Sequence, residues 1–281
     1  MRNSFNIEYL SKSIGMEKAA EIVSGVGFTD LDYSPDVADD NWMEKLDEDL
    51  KIFSKYGLQV HQTHAPFNRY NACGDKHMLC VDRMLQATKI LNAKYMVTHG
   101  DEFDFVNMEY SFQNALNYNY ELFAPCVEKA LAMNIDIAFE NVFLDGFDGG
   151  KPRFGSDVSE LKALIDRFGS ENVVCCWDFG HAAVAFGEDQ PAKIRYMGDT
   201  IKCTHIHDNK LQQDQHLPPF LGLIDWEKCM SEFAAFHYNG NLSFEYVYGK
   251  IPEAVAYEFM LLAYKSGKYL EALMKAGAVG K

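Results

Sequence analysis

The chain has 281 residues, 48% hydrophobic and 14% aromatic, enough for one large core of roughly 250 residues. Its 26 basic and 41 acidic residues leave a formal net charge of −15, which gives no help to generic binding of phosphate polymers and argues against nucleic acid as a partner. No run of about 18 apolar residues exists, so no transmembrane helix and no membrane partner is expected.

The opening Met1-Arg2-Asn3-Ser4-Phe5 lacks an apolar signal core. The seven cysteines are odd in number and form no Cys-x-x-Cys pair, which argues against a disulfide framework or a cysteine zinc site. A reduced, cytoplasmic location is the resulting expectation. Cys175 and Cys176 read as small core residues.

Taken in chain order, a weak strand signal lies around Phe5–Tyr9, then helix-period segments alternate with short apolar runs. Glu17–Ser24 reads as helix and Gly27–Tyr33 as strand. Trp42–Tyr56 and Leu58–His64 repeat the pair, as do Asp75–Asn92 and Lys94–His99. Tyr110–Met133 leads to Ile135–Glu140, and Ser159–Arg167 to Val173–Asp178. Ile201–His207, Trp226–Phe236, Leu242–Tyr246 and Pro252–Met274 complete the series. Strand and helix repeated about eight times imply parallel strands with crossover helices. At this length the best solution is an α/β fold of (β/α)8 TIM-barrel type, a single domain over 1–281. A doubly wound open sheet is the alternative, but Gly25-Val-Gly27 precedes its strand instead of following it. Gly57, Gly169 and Gly240 sit where helix ends want a left-handed residue, and Pro252 opens the last helix.

Side chains alternate faces along a strand. On Val173–Asp178, Asp178 shares a face with Cys176 and Val174. On Ile135–Glu140, Glu140 shares one with Ala138 and Asp136. His205 sits with Cys203 and His207, and Glu245 with Ser243. In each case one face is bulky, and the other carries small residues leading to an acid or histidine near the strand's C-terminal end. In a barrel these ends form the active-site rim, so Glu140, Asp178, His205 and Glu245 should converge. His64 and His99 end two further strands. A lone Asp or His at a strand end is ordinarily a cap or turn former. Three converging carboxylates are different, because their mutual burial is costly without a compensating cation. Mixed oxygen and imidazole donors suit one divalent metal such as Mn²⁺, Zn²⁺, Mg²⁺ or Co²⁺.

Around this centre, His64, His99, His181, His207 and Lys210 are candidate substrate-binding residues, and Asp32 a weaker one. Lys151, Arg153 and Lys210 are candidates for a phosphate group, and Phe67, Trp177, Phe179 and Tyr246 for apolar walls. Asp214-Gln-His216 lies in a polar loop. His61, His77 and His237 show no convergence and read as packing or surface residues.

Several segments together resemble the xylose isomerase-like TIM-barrel superfamily, which includes endonuclease IV and ketose 3-epimerases. They are His64-Ala-Pro-Phe67, Thr98-His-Gly100, Phe139-Glu-Asn141, Trp177-Asp-Phe-Gly-His181, His205-Ile-His-Asp208, Asp214-Gln-His216, Ile224-Asp-Trp226 and Phe244-Glu-Tyr246. In the epimerase and isomerase branch, the resemblance implies one divalent metal on Glu140, Asp178, His205 and Glu245. The two glutamates, Glu140 and Glu245, then also flank the sugar and carry its proton, and His181 contacts substrate. In the endonuclease IV branch it implies up to three metals, adding His64, His99, His181, Asp214 and His216 as ligands. Two departures argue against that branch. Leu217-Pro-Pro-Phe-Leu-Gly222 replaces its Gly-rich stretch, and the His205-to-Asp214 spacing is shorter. Loops that grip a bent duplex should offer cations and apolar wedges, and after His64 only Arg69 and Tyr70 present themselves.

The expected activity is therefore metal-dependent isomerisation or epimerisation of a small sugar, sugar phosphate or keto-polyol. One carboxylate removes a proton beside a carbonyl, an enediolate forms, and another carboxylate returns the proton. The alternatives are an endonuclease IV-like metal-cluster phosphodiesterase acting on abasic DNA, and a non-catalytic sugar-binding barrel. A homo-oligomer is compatible with the fold class, but no sequence feature demonstrates one.

Overall fold

The computed structural model describes residues 2–66, 76–101, 110–144, 153–211, 213–246 and 250–279. Eight parallel strands form the ring: β1 (Asn3–Asn6), β2 (Asp30–Asp32), β3 (Gln59–His64), β4 (Tyr95–Thr98), β5 (Asp136–Glu140), β6 (Val173–Asp178), β7 (Ile201–His205) and β8 (Leu242–Phe244). They pair in the order β7-β6-β5-β4-β3-β2-β1-β8, and the first six helices are α1 (Glu8–Ile14), α2 (Met16–Val26), α3 (Trp42–Lys55), α4 (His77–Ile90), α5 (Phe112–Met133) and α6 (Val158–Phe168). A parallel bridge between Ile206 and Phe244 joins the two ends, with Ile206 N donating to Ser243 O at 2.6 Å. This is the (β/α)8 barrel that the alternation of segments implies, and the open-sheet alternative falls away.

The two strand faces build two cores. Outward residues such as Phe139, Cys175, Trp177 and Phe244 join the large cluster beneath the helices. Inward residues Val97, Ala138, Val174, Cys176 and Cys203 form a second, smaller cluster inside the barrel. Val97, Ala138 and Val174 stand at one level, because Val97 pairs with Ala138 and Ala138 with Val174. The remaining interior is polar: Gln62 donates to Asp32 Oδ2 at 3.0 Å, and Ser243 Oγ to the same oxygen at 3.3 Å.

Four details differ from the sequence reading. The first strand is Asn3–Asn6, and Glu8–Ile14 forms a helix, α1. Phe5 is the only apolar residue of that strand, so no alternation marks it. Two short helices, α7 (Phe179–Phe186) and α8 (Gln190–Met197), follow β6. The first half of α7 is wholly buried, so its sequence carries no polar face to betray a helix. Gly57 and Gly169 take left-handed φ as expected, but after the helix α9 (Trp226–Ala235) that role falls to His237, at φ 58°. Gly240 instead leaves room for a neighbouring strand: a Cβ there would lie 2.3 Å from Lys202 O. Cys80 is disulfide-bonded, which a fully reduced chain would not show, while Cys126, Cys175, Cys176, Cys203 and Cys229 are free and buried. Among the described residues, no helix is long and apolar enough to cross a membrane.

Candidate metal centre

At the C-terminal rim the strand ends bring acids and imidazoles into contact. Glu140, from β5, is 1% exposed and sits between four histidines. Its Oε2 lies 2.9 Å from His64 Nε2 and 3.4 Å from His99 Nε2. Its Oε1 lies 3.1 Å from His205 Nδ1 and 3.2 Å from His181 Nδ1. Glu245 Oε2 approaches His205 Nδ1 to 3.4 Å, and Asp178 Oδ2 approaches it to 3.7 Å. A further group forms beside these: Asp214 Oδ2 lies 2.8 Å from His216 Nε2 and 3.4 Å from His181 Nε2. All nine sequence-read candidate ligands thus meet in one region, in groups whose donor atoms lie within 4.8 Å of one another.

The elements explain the placement. Asp178 ends β6 and caps α7, its Oδ1 accepting from His181 N at 2.6 Å. It therefore takes both the ordinary cap role and a place in the centre. Asn141 clamps the same turn, accepting from Asp178 N at 2.8 Å and donating to Asp178 O at 3.0 Å. Asp208 holds the loop that carries Asp214 and His216. Its carboxylate accepts from the backbone N–H of Asn209, Phe220 and Ile224, and from Trp226 Nε1 at 3.0 Å. Its backbone pairs with Leu217 in both directions. Gly222 must be glycine for this loop to close, since a Cβ would lie 2.1 Å from Asp208 Oδ1.

The donor set fits a divalent cation. His64 Nδ1 lies 2.7 Å from Ala65 O, His181 Nδ1 3.0 Å from Asn141 O, and His216 Nδ1 3.1 Å from Glu245 O. In each ring one nitrogen is anchored to a backbone carbonyl and the other is aimed at a carboxylate oxygen. That is how a ligating histidine is oriented by its outer partners. An acceptor nitrogen facing an acceptor oxygen requires a positive charge between them, either a proton or a metal ion.

Without an ion the charge is carried by protons. Burial pulls every one of these imidazoles down, but the carboxylates prevail at four of them. His205 is held well above the usual range by Glu140 and Glu245, and His181 by Asp178 and Asp214. His216 is raised to about 9 through Asp214 and Glu245, and His64 is raised by its bond to Glu140. His99 goes the other way, because its burial outweighs the attraction of Glu140. Burial pushes the acids up, yet the imidazoles hold Glu140 well below the usual range and lower Asp178 and Asp214.

A cavity of about 320 Å³ opens over the centre, lined by Tyr9, His64, His99, Glu140, Phe143, Arg153, His181, Asp214, His216 and Glu245. Glu245 is 18% exposed there. Two expected substrate contacts do not reach the cavity. His207 is fully buried: it stacks on His216 at 3.9 Å and faces Asp178 Oδ2 at 2.9 Å. Its ring occupies the space that Gly180 leaves open, since a Cβ there would lie 1.8 Å from His207 Cε1. Lys210 is exposed and lies outside the lining. Asp32 also faces inward beneath the centre, its Oδ2 lying 3.2 Å from His205 Nε2, and it lies outside the cavity lining. Arg153 does line the cavity, with its guanidinium 5.3 Å from the Phe143 ring centroid. Trp177, Phe179 and Tyr246 are core residues. Phe67, Arg69, Tyr70 and Lys151 lie outside the described residues. His61, His77 and His237 join none of the groups. Sequence reasoning missed Tyr9, in the first turn of α1 where the sequence read as a weak strand, and Phe143, in a loop without a motif, and also Glu8, whose carboxyl burial pushes up to about 7.

The chain matches the model of the xylose isomerase-like TIM barrel over residues 16–264. It belongs to that family. Among solved structures, a D-tagatose 3-epimerase-like protein superposes with a TM-score of 0.74 at 21% identity, over 98% of this chain and 99% of the other. L-ribulose 3-epimerase gives 0.72 at 16% identity, over 99% and 96%. The IOLI protein with a bound zinc atom gives 0.74 at 14% identity, over 98% and 99%. These likenesses extend the family fold across nearly the whole chain.

Proposed function

We propose that this family member is a divalent-metal-dependent isomerase or epimerase of a small sugar or keto-polyol, working by proton transfer beside a carbonyl. The observation that carries the reading is the set of acids and imidazoles converging on the floor of a cavity of about 320 Å³. That size is at the lower end of small-ligand sites, roughly 300–1,000 Å³. The epimerase titles of the structural neighbours support the same class.

Glu140, Asp178, His205 and Glu245 would hold the ion, which supplies a positive charge that polarises the substrate carbonyl and acidifies the neighbouring C–H. Glu245 takes that proton, because it lines the cavity and is the more accessible of the two glutamates. Glu140, the other glutamate lining the cavity, returns it. Tyr9 and Phe143 provide walls against which a sugar's apolar face packs, and His181 offers a polar contact. Arg153 is the cation in the lining that would meet a phosphate, if the sugar carries one.

The test is metal-loaded protein incubated in D₂O with a panel of ketoses, aldoses and inosose-like polyols, read by NMR. Deuterium should enter next to the carbonyl of at least one of them, with isomer or epimer appearing. Absence of exchange and conversion across the panel would sink the reading. A second reading, a metal-cluster phosphodiesterase acting on abasic DNA, is favoured by the further His64–His99–Glu140 and His181–His207–Asp214–His216 groups. It predicts nicking of an abasic duplex by zinc- or manganese-loaded protein, and no cleavage would end it.

A further inference from the structure

A second cavity of about 610 Å³, roughly twice the first, adjoins the metal centre and shares Tyr9, His64 and Glu245 with it. A sugar anchored over the centre therefore has room to extend past these three side chains. The second cavity is walled by Tyr33 and Pro35, with Ser11 and Ser34 among its polar lining. Flat apolar faces interleaved with hydroxyls suit a sugar ring, which presents C–H on its faces and O–H around its edge.

Charge selects further. Both lysines that line the cavity face carboxylates: Lys12 lies 3.6 Å from Glu8, and Lys45 pairs with Asp39. Asp36, Asp49 and Glu245 add acids to the lining. An anionic substituent such as a phosphate or uronate would meet like charge there, whereas a neutral polyhydroxylated one would not.

We propose that this cavity is a binding lobe for a neutral second unit, so that the preferred substrate is a sugar carrying a glycosyl or similar uncharged polar substituent. The proposal rests on the sugar-isomerase reading and names its substrate class.

The test is calorimetric binding to the metal-loaded full chain, which needs no turnover. The probes are D-fructose, D-fructose 6-phosphate, and three disaccharides that present a fructose unit: turanose, lactulose and isomaltulose. At least one disaccharide should bind about tenfold more tightly than D-fructose, as expected for one or two added hydrogen bonds. The phosphate ester should bind no more tightly than D-fructose. Ala38→Trp, which fills the lobe from a half-buried loop position outside the ligand set, should abolish the disaccharide advantage and leave D-fructose affinity within about twofold. Ser11→Phe serves the same purpose on α1 should the first variant fail to fold. The lobe is overturned if D-fructose binds but no disaccharide binds more tightly, or if the advantage survives in a folded variant. A phosphate ester binding most tightly overturns its neutrality. If no probe binds, the sugar reading itself fails and the lobe fails with it.

Discussion

Chelator-treated protein titrated with Zn²⁺ should release protons in a number that reports how many of the three ligand groups fill. In the metal-free fold His181 and His205 stand well above the usual imidazole pKa, His216 rises to about 9, and His64 is raised. His181, His205 and His216 therefore carry a proton at neutral pH and His64 is shifted toward its charged form, while His99 is lowered and enters neutral. An ion that takes a ring nitrogen displaces the proton held there. Filling only Glu140, Asp178, His205 and Glu245 displaces about one proton, from His205. Filling the other two groups as well displaces at least three in all, from His181, His205 and His216, and a further share from His64.

The assay is isothermal titration calorimetry near neutral pH in several buffers of different ionisation enthalpy. The dependence of the observed heat on buffer enthalpy gives protons per chain. Each displaced proton also steepens apparent affinity by about tenfold per pH unit, about 1.4 kcal/mol. About one proton with one ion bound fits the isomerase centre. Three or more with three ions bound moves the phosphodiesterase reading to first place. Tight binding with no proton release would refute the reasoning, because the carboxylates would then not be holding the imidazoles protonated.

The same four histidines set the stability of the metal-free protein. Their folded pKa values lie above the unfolded value of about 6.5, so their stabilisation is complete below that pH and is lost as pH rises toward 9, where His216 titrates. Melting temperature should fall across this window for metal-free protein and stay nearly flat once metal is bound; a rise in the metal-free protein contradicts the pairing. Glu245→Gln should abolish deuterium exchange on the true sugar while the melting temperature changes little, and retained turnover would remove Glu245 from the chemistry. Asp208→Asn replaces an acceptor of four N–H bonds with a group that also donates, at a cost of about 3 kcal/mol. It should loosen Asp214 and His216 first, reducing proton release on metal binding; an unchanged melt and titration would deny Asp208 its positioning role. Gly180→Ala sets a methyl against the His207 ring and should cost about 1–3 kcal/mol, checked by chemical denaturation, with wild-type stability as the refuting result.

The candidate ligands were legible because a strand has period two. Once Glu140, Asp178, His205 and Glu245 fell on the small-residue faces of their strands, barrel geometry alone brought them together. The inward cluster of Val97, Ala138, Val174, Cys176 and Cys203 is the other half of that pattern. Strand β1 gave only a weak signal, placed late at Phe5–Tyr9 instead of Asn3–Asn6, because the part of the interior it faces is polar and its sequence offers no alternation of apolar with polar. The short helix α7 escaped for the opposite reason, being apolar where a surface helix would alternate.

The residues that position these side chains are harder to read, since their partners are distant in sequence and often backbone. Asp32 lies 3.2 Å from a nitrogen 173 positions along the chain, and no spacing rule links the two. His207 illustrates the limit best. It shares a strand face with His205, so period two alone would place it in the cavity. What diverts it is Gly180, whose missing Cβ lets the ring sink against Asp178 and stack beneath His216. A substrate-binding histidine and a buried supporting one are identical in the sequence until the glycine opposite them is known, and that pairing exists only once the fold has formed.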